Sequence, residues 1–255
     1  MTTILSIAAS DGCGGAGIQR DNTTINALGG YPLNVVTAIT TQDHLAVHNS
    51  HCLPAKLVCE QLNTLLARYP IDAIKIGVLA DSLIQPIAQA LRQQSCAIVL
   101  DPVIRSTSGF TFIHDVDAFA ETLLPLATHM TPNAYEAHQL SGLSGTDKTT
   151  DTCQLAHALR KRGAHNIIVT NADQHETFVT DTLFAVDDTA PQVLQRDKIK
   201  VANSHGTGCA FSSALAFYLA QGLSLQVCHR RAVDWVESTL REEDESSVTR
   251  SLVST

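Results

Sequence analysis

Short apolar runs alternate along this chain with longer stretches whose apolar residues recur at helical spacing. The runs Ile4–Ala9, Val35–Thr40, Ile71–Leu79 and Cys96–Ile104 are nearly continuous in apolar residues, as expected of strands buried on both faces. Residues 129–133 (HMTPN) and 165–171 (HNIIVTN) add shorter strands. Between them, Ile18, Ile25 and Leu28 share one helical face, closed by Gly29 and Gly30. Ala55–Tyr69 after Pro54, Ser82–Gln94, Asp115–Ala127, a stretch from Asn133 and Thr149–Arg162 also read as helices. Near the end, residues 177–186 and 192–201 alternate more strictly and predict a partly exposed hairpin-like pair. Helices over Gly208–Gln221 and Ser224–Leu240 follow, and the residues after Glu242 are polar with no core-forming pattern.

Buried strands separated by helices predict an α/β domain with a mostly parallel central sheet and helices on both faces. No linker, repeat or low-complexity segment divides the chain. The expectation is one domain over residues 1–242 and a polar tail over 243–255. The 255 residues are 44% hydrophobic and 16% charged, ample for a sizeable core. A net charge of −8, with no basic cluster beyond Arg160–Arg162 and Arg230–Arg231, argues against a nucleic-acid surface. Seven scattered cysteines without a C-x-x-C pair, and a start that leads directly into a strand, predict reduced thiols in the cytoplasm. No apolar stretch approaches the roughly 18 residues of a membrane span.

Two glycine-rich segments carry the candidate chemistry. Gly12-x-Gly14-x-x-Gly17 lies between the first strand and first helix, formally a dinucleotide fingerprint. Asp43, near the end of the second strand, follows at loose spacing. A plain glycine turn and a loop closing over a small substrate are the other readings. Gly206-Thr207-Gly208-Cys209 opens a helix rich in small residues. Free N–H groups there suit an anion or a transferring phosphoryl group. A thiol at that position is expected to have a lowered pKa and to serve as a base, unless it merely packs. No G-x-x-x-x-G-K-[ST] motif is present. In a parallel sheet ligands sit beyond the carboxyl ends of the strands, which points to Ala9, Asp11, Gln42, Val78, Asp101, Asn133 and Thr170. Asn133 and Glu136 also fit an ordinary helix start. His44, His48 and His51 would cluster only on a helix.

The segments IAASDGCGGAGIQRD, KIGVL, LDPVIRSTSG, TPNAYEA and NSHGTGC, in that order, resemble the hydroxymethylpyrimidine/phosphomethylpyrimidine kinases of thiamine biosynthesis. These are ribokinase-like enzymes with pyridoxal kinases as cousins, and the resemblance spans about Ile4 to Leu240. It implies a ribokinase-like fold with a small flap, with ATP and Mg²⁺ as cosubstrates. It implies Cys209 as base within an anion hole formed by Gly206, Thr207, Gly208 and Cys209. A cysteine at that position points toward the pyrimidine kinases, although some pyridoxal-phosphorylating relatives share it. Gln42 would read the pyrimidine edge, with Ala9, Asp11, Ala16, Val78 and Val103 around the substrate. Asp101, Asn133, Glu136 and Thr170 would lie near the phosphates, and Asn133 and Glu136 near the metal. Cytoplasmic homodimers are the family habit.

The chain departs from the family pattern at several positions. Thr170-Asn171-Ala172 stands where Lys-Gly-Gly is usual. Loss of a phosphate-facing lysine would cost about 1–3 kcal/mol of nucleotide binding if nothing replaced it. Arg105 and Lys148 are the nearest candidate cations. Val78 replaces a common methionine, Gly12-Cys13 a Pro-Ser pair, and Ala210 a threonine. Pyridoxal kinase and a catalytically weak pyrimidine-binding protein are therefore the competing functions.

Overall fold

The computed structural model describes residues 1–43, 45–144, 151–199 and 206–253, with backbone only for Gln174 and residues 243–253. Among these, nine strands form one sheet in the order β3-β2-β1-β4-β5-β6-β7-β8-β9. Its centre is parallel: β1 (Thr3–Asp11) lies between β2 (Tyr31–Gln42) and β4 (Ala73–Ile76), followed by β5 (Ala97–Leu100), β6 (His129–Met130) and β7 (Asn166–Gln174). The edges are antiparallel. β3 (Val47–Cys52) folds back on β2, and β8 (Phe178–Phe184) and β9 (Gln192–Asp197) complete the far side. β3 is the small flap.

Helices cover both faces. The helices α2 (Ala55–Arg68), α3 (Asp81–Leu91), α4 (Val116–Leu123), α5 (Ala134–Ser141) and α6 (Thr152–Lys161) bury one apolar cluster that includes Leu62, Leu83, Phe119, Leu140 and Leu159. On the other face α1 (Gly17–Ala27), α7 (Thr207–Ala220) and α8 (Leu225–Val253) bury a second, around Ile25, Phe211, Leu215, Phe217 and Cys228. The expected α/β architecture is the one observed.

The differences from the sequence pattern have physical causes. The apolar runs Ile71–Leu79 and Cys96–Ile104 outlast their strands because Leu79 and Ile104 are buried in the turns that follow. The last helix continues to Val253, past the predicted end near Leu240. Its later residues include strong helix formers such as Glu and Arg, whose backbone preference extends a helix without any apolar periodicity in the sequence. The segment carrying His48 and His51 is a strand, so the helical histidine face does not exist. His48 instead bonds Asp43 at 3.1 Å, and His44 lies outside the described residues. Among the described residues no group of three or more His, Cys, Asp or Glu converges as metal ligands.

One side chain breaks the apolar rule. Lys75 sits mid-strand in β4 and is fully buried. Its neighbours Ile74 and Ile76 face the first cluster, so Lys75 points the other way, between the sheet and helices α1 and α7. There its Nζ bonds both carboxylate oxygens of Asp21, at 2.9 and 3.0 Å, and lies 3.9 Å from Asp101. Asp21 also accepts from Ser6 and from Ser213, and Asp101 from Ser212 at 3.0 Å. Burial alone would push the lysine pKa down, but the charges of Asp21, Cys209 and Asp101 hold it above the ordinary lysine value. Removing one partner of such a pair strands the other charge in the interior. Lys75→Met is therefore expected to lower unfolding free energy by about 3–5 kcal/mol, read by urea denaturation. Adding Asp21→Asn should recover part of that loss, whereas an unchanged midpoint in Lys75→Met would show that the pair contributes nothing to stability.

Candidate active site

The parallel strands end at a cavity of about 310 Å³. All the residues singled out beyond the strand ends line it: Ala9, Asp11, Ala16, Gln42, Val78, Asp101, Val103, Asn133, Glu136 and Thr170, with Gly206, Thr207, Gly208 and Cys209. Asn203 to His205, part of the second glycine segment, lie outside the described residues, as does Lys148.

The two glycine segments meet backbone to backbone. Gly206 has φ +79°, and a Cβ there would fall 1.8 Å from the Gly15 carbonyl oxygen. Gly17 has φ +56°, and a Cβ there would fall 2.2 Å from the Ala9 carbonyl oxygen. Neither obstacle is a flexible side chain, so both positions are closed to other residues. The first loop is then fixed by Asp11. Its carboxylate accepts from the Cys13 thiol at 3.0 Å, the Cys13 N–H at 2.9 Å and the Ala16 N–H at 2.8 Å. Burial opposes ionisation, but these bonds hold the Asp11 pKa down at about 2. Asp43, the acidic residue a dinucleotide site would use, is instead spent on the N–H groups of Leu45 and Ala46 and on His48.

Asn133 and Glu136 form a reciprocal helix cap. The Asn133 side chain accepts from the Glu136 N–H at 2.9 Å, and the Glu136 carboxylate accepts from the Asn133 N–H at 3.0 Å. The ordinary helix-start reading of this pair is thus fulfilled, and the cap also turns the Glu136 carboxylate to the cavity. Burial, then the nearby Asp101, push the Glu136 pKa up to about 8. Two carboxylates that resist ionisation beside each other are a hard-oxygen donor set suited to a hydrated Mg²⁺.

Cys209 opens α7, which has no side-chain cap. Its thiol feels the charges of Lys75, Asp101 and Asp21 together. The expected lowering of its pKa does not occur. Burial, reinforced by Asp101 and Asp21, pushes it up to about 12, and Lys75 only partly opposes this. The helix N-terminus is outweighed because two carboxylates and a desolvated site surround the sulfur. Burial raises Asp101 as well.

Sequence reasoning missed the layer beneath: Lys75, Asp21, Ser212 and Ser213. A lysine inside the run AIKIGVL was a visible signal, because a charge in a strand buried on both faces must have a partner. Gly77 belongs to the same arrangement, since a Cβ there would meet Lys75 Nζ at 2.8 Å. Where Asn171 replaces a usual glycine, its backbone is left-handed at φ +48°. Asparagine tolerates that conformation, so the departure keeps the turn while losing the lysine at Thr170. A second cavity of about 260 Å³ adjoins the first through Thr170, Asn171, Thr207 and Gly208, and reaches Arg196, Lys198, Phe211 and Val233.

A family model described as Phosphomethylpyrimidine kinase matches residues 11–252. The chain belongs to the phosphomethylpyrimidine kinase family. A hydroxymethylpyrimidine/phosphomethylpyrimidine kinase of Rhizobium meliloti is 38% identical over 229 residues, covering 88% of this chain and 85% of that protein. The thiamine biosynthesis bifunctional protein ThiED of Geobacter sulfurreducens is 34% identical over 94% of this chain, which spans only 49% of that relative's length. The pyridoxal kinase from Staphylococcus aureus in complex with ADP superposes with a TM-score of 0.83 at 31% identity, covering 94% of this chain and 88% of that one. The fold is thus the ribokinase-like fold of this kinase family.

Two outcomes test the geometry. Gly206→Ala must move the Gly15 backbone, so ligand binding in the cavity should fall at least tenfold in a protein that remains folded by circular dichroism; unchanged binding would show that the loops are not locked together. Iodoacetamide at pH 7.5 should label exposed Cys52 and Cys153 well before Cys209, with the Cys209 rate rising about tenfold per pH unit below its pKa of about 12. Peptide mass mapping reads this, and early labelling of Cys209 would contradict a thiol held in its protonated form.

Proposed function

We propose that this protein transfers the γ-phosphoryl group of ATP to the hydroxymethyl of 4-amino-5-hydroxymethyl-2-methylpyrimidine, to its monophosphate, or to both. The observation that carries the reading is Cys209 at the first turn of α7, on the wall of the same cavity as Asp101, Glu136 and Gln42. The second cavity, which meets the first at Thr207 and Gly208, is the place for the nucleotide, with its terminal phosphate directed at α7. The first-turn N–H groups and Gly206–Gly208 would hold phosphoryl oxygens as charge develops.

The proton route follows from the pKa directions. A thiol near 12 is not a resting thiolate. As the substrate oxygen bonds to the γ-phosphorus and the bond to the ADP oxygen breaks, the hydroxyl proton passes to Cys209 Sγ. The thiol proton moves at the same time onto Asp101, whose pKa burial has raised. Glu136, oriented by Asn133, would hold Mg²⁺, which would neutralise phosphate charge. Gln42 would read the aminopyrimidine edge with its amide, the carbonyl oxygen accepting from the ring amine and an N–H donating to a ring nitrogen. Ala9, Ala16, Val78 and Val103 would enclose the ring, and Thr170 would contribute a hydroxyl near phosphate.

The likeness to a pyridoxal kinase favours pyridoxal as the second candidate substrate. Seven free thiols support a cytoplasmic setting, where the family resemblance supports a homodimer. Among the described residues no helix is long and apolar enough to cross a membrane.

ADP release with Mg-ATP, measured side by side with hydroxymethylpyrimidine and pyridoxal, tests the reading. The pyrimidine should be the better acceptor. Cys209→Ala should lower turnover by about 10²–10⁴-fold with substrate binding retained, the range for losing a positioned proton acceptor. Full turnover in Cys209→Ala would remove Cys209 from the chemistry. Pyrimidine binding without any ADP release would favour a binding protein.

A further inference from the structure

Polyphosphate chemistry needs positive charge, yet the main cavity is lined by Asp11, Asp101 and Glu136. Lys75 lies below and is consumed by Asp21. Among the described lining residues one cationic side chain remains, Arg105. It sits on a tight turn held by Ser106 N–H to Phe110 C=O at 2.8 Å and Phe112 N–H to Ile104 C=O at 2.9 Å, with a bridge from Arg105 to Thr111. The tip is tied to the flap, where the Val47 N–H donates to the Ser108 hydroxyl at 3.1 Å.

Two features set Arg105 apart from an ordinary surface arginine. Its guanidinium lies over the Tyr135 ring, 4.5 Å from the centroid, in the first turn of α5 beside Asn133 and Glu136. This contact holds the guanidinium against the ring face and leaves N–H donors available. No described carboxylate pairs with it, although three line the same cavity. The planar guanidinium fork matches two oxygens of one phosphate.

We propose that Arg105 is a phosphate-binding residue of this site, taking the role of the cation missing at Thr170. The inference rests on the phosphotransfer reading above. The phosphate has two sources: the terminal phosphate of the nucleotide, or the phosphate ester on an already phosphorylated acceptor.

Calorimetric titration of wild type, Arg105→Gln and Arg105→Lys separates them. The ligands are ADP, a β,γ-methylene ATP analogue, hydroxymethylpyrimidine and its monophosphate, the nucleotides with Mg²⁺. A loss of at least tenfold in Arg105→Gln for the ATP analogue alone assigns the nucleotide's terminal phosphate. The same loss for the pyrimidine monophosphate alone assigns the acceptor's phosphate. In either case Arg105→Lys recovers part of the affinity, and the wild-type affinity falls more steeply with salt than that of Arg105→Gln. Equal affinities in wild type and Arg105→Gln for all four ligands overturn the proposal while the kinase reading stands. A matching loss for unphosphorylated pyrimidine also overturns it, since a role in shape rather than charge produces that pattern. A wild type that binds neither nucleotide nor pyrimidine monophosphate overturns both readings.

Discussion

A fully buried lysine must be answered by negative charge, and that requirement organises the middle of this protein. Lys75 on β4 is answered by Asp21 on α1, with Asp101 just beyond β5 at 3.9 Å. Ser6 from β1 and Ser213 from α7 complete the shell of Asp21, and Ser212 binds Asp101. Five separate elements therefore converge on one charge cluster. Apolar packing alone permits small slides of a helix over a sheet, whereas a hydrogen-bonded ion pair of this kind permits few alternatives. Ser212 and Ser213 are one turn into α7, so the cluster sets where α7 begins, and with it the height of Cys209 above the strand ends.

The glycines act on the same joint from above. Gly206 enters α7 in a left-handed conformation against the Gly15 carbonyl, and Gly17 enters α1 against the Ala9 carbonyl. The two helix starts are thus held in mutual contact by backbone. Gly77, just past β4, leaves the volume that Lys75 Nζ fills. Three segments far apart in sequence are small for a shared reason: backbone and one long cationic side chain meet where no side-chain carbons fit.

Much of this was legible in the chain itself. Apolar runs without alternation announce a parallel sheet buried on both faces, and the carboxyl ends of those runs lead directly to Asp11, Asp101, Asn133 and Thr170. The glycine segments were legible as places of close approach, though the approaching group is in large part the other loop. What the pattern does not carry is any quantity that depends on a third partner. The pKa of Cys209 is the clearest case. A helix start predicts a fall, but Asp101 and Asp21 arrive from elsewhere in the chain and reverse it. Asn133 and Glu136 were legible twice over, as a cap and as a site, and the geometry makes these one fact, because the cap aims the carboxylate. Helix length past Leu240 was not legible because that stretch carries no apolar periodicity.

The electrostatics of the cavity then constrain how it can be used. Its wall carries three carboxylates, of which burial and mutual proximity already push Asp101 and Glu136 toward the neutral form. Bare polyphosphate entering such a site would add like charge to like. A divalent cation accompanying the nucleotide changes the sign of that encounter, because each carboxylate that resists ionisation when alone gains a partner. Nucleotide and metal are in this sense one ligand for the site, and neither is expected to bind well without the other. The same acidic surroundings keep the Cys209 proton in place. A resting thiolate would have been exposed to alkylation and oxidation whenever the site stood open. On the proposed proton route, a protonated thiol near a carboxylate that burial has made receptive would hold the capacity to take a proton in reserve until the attacking oxygen is in place.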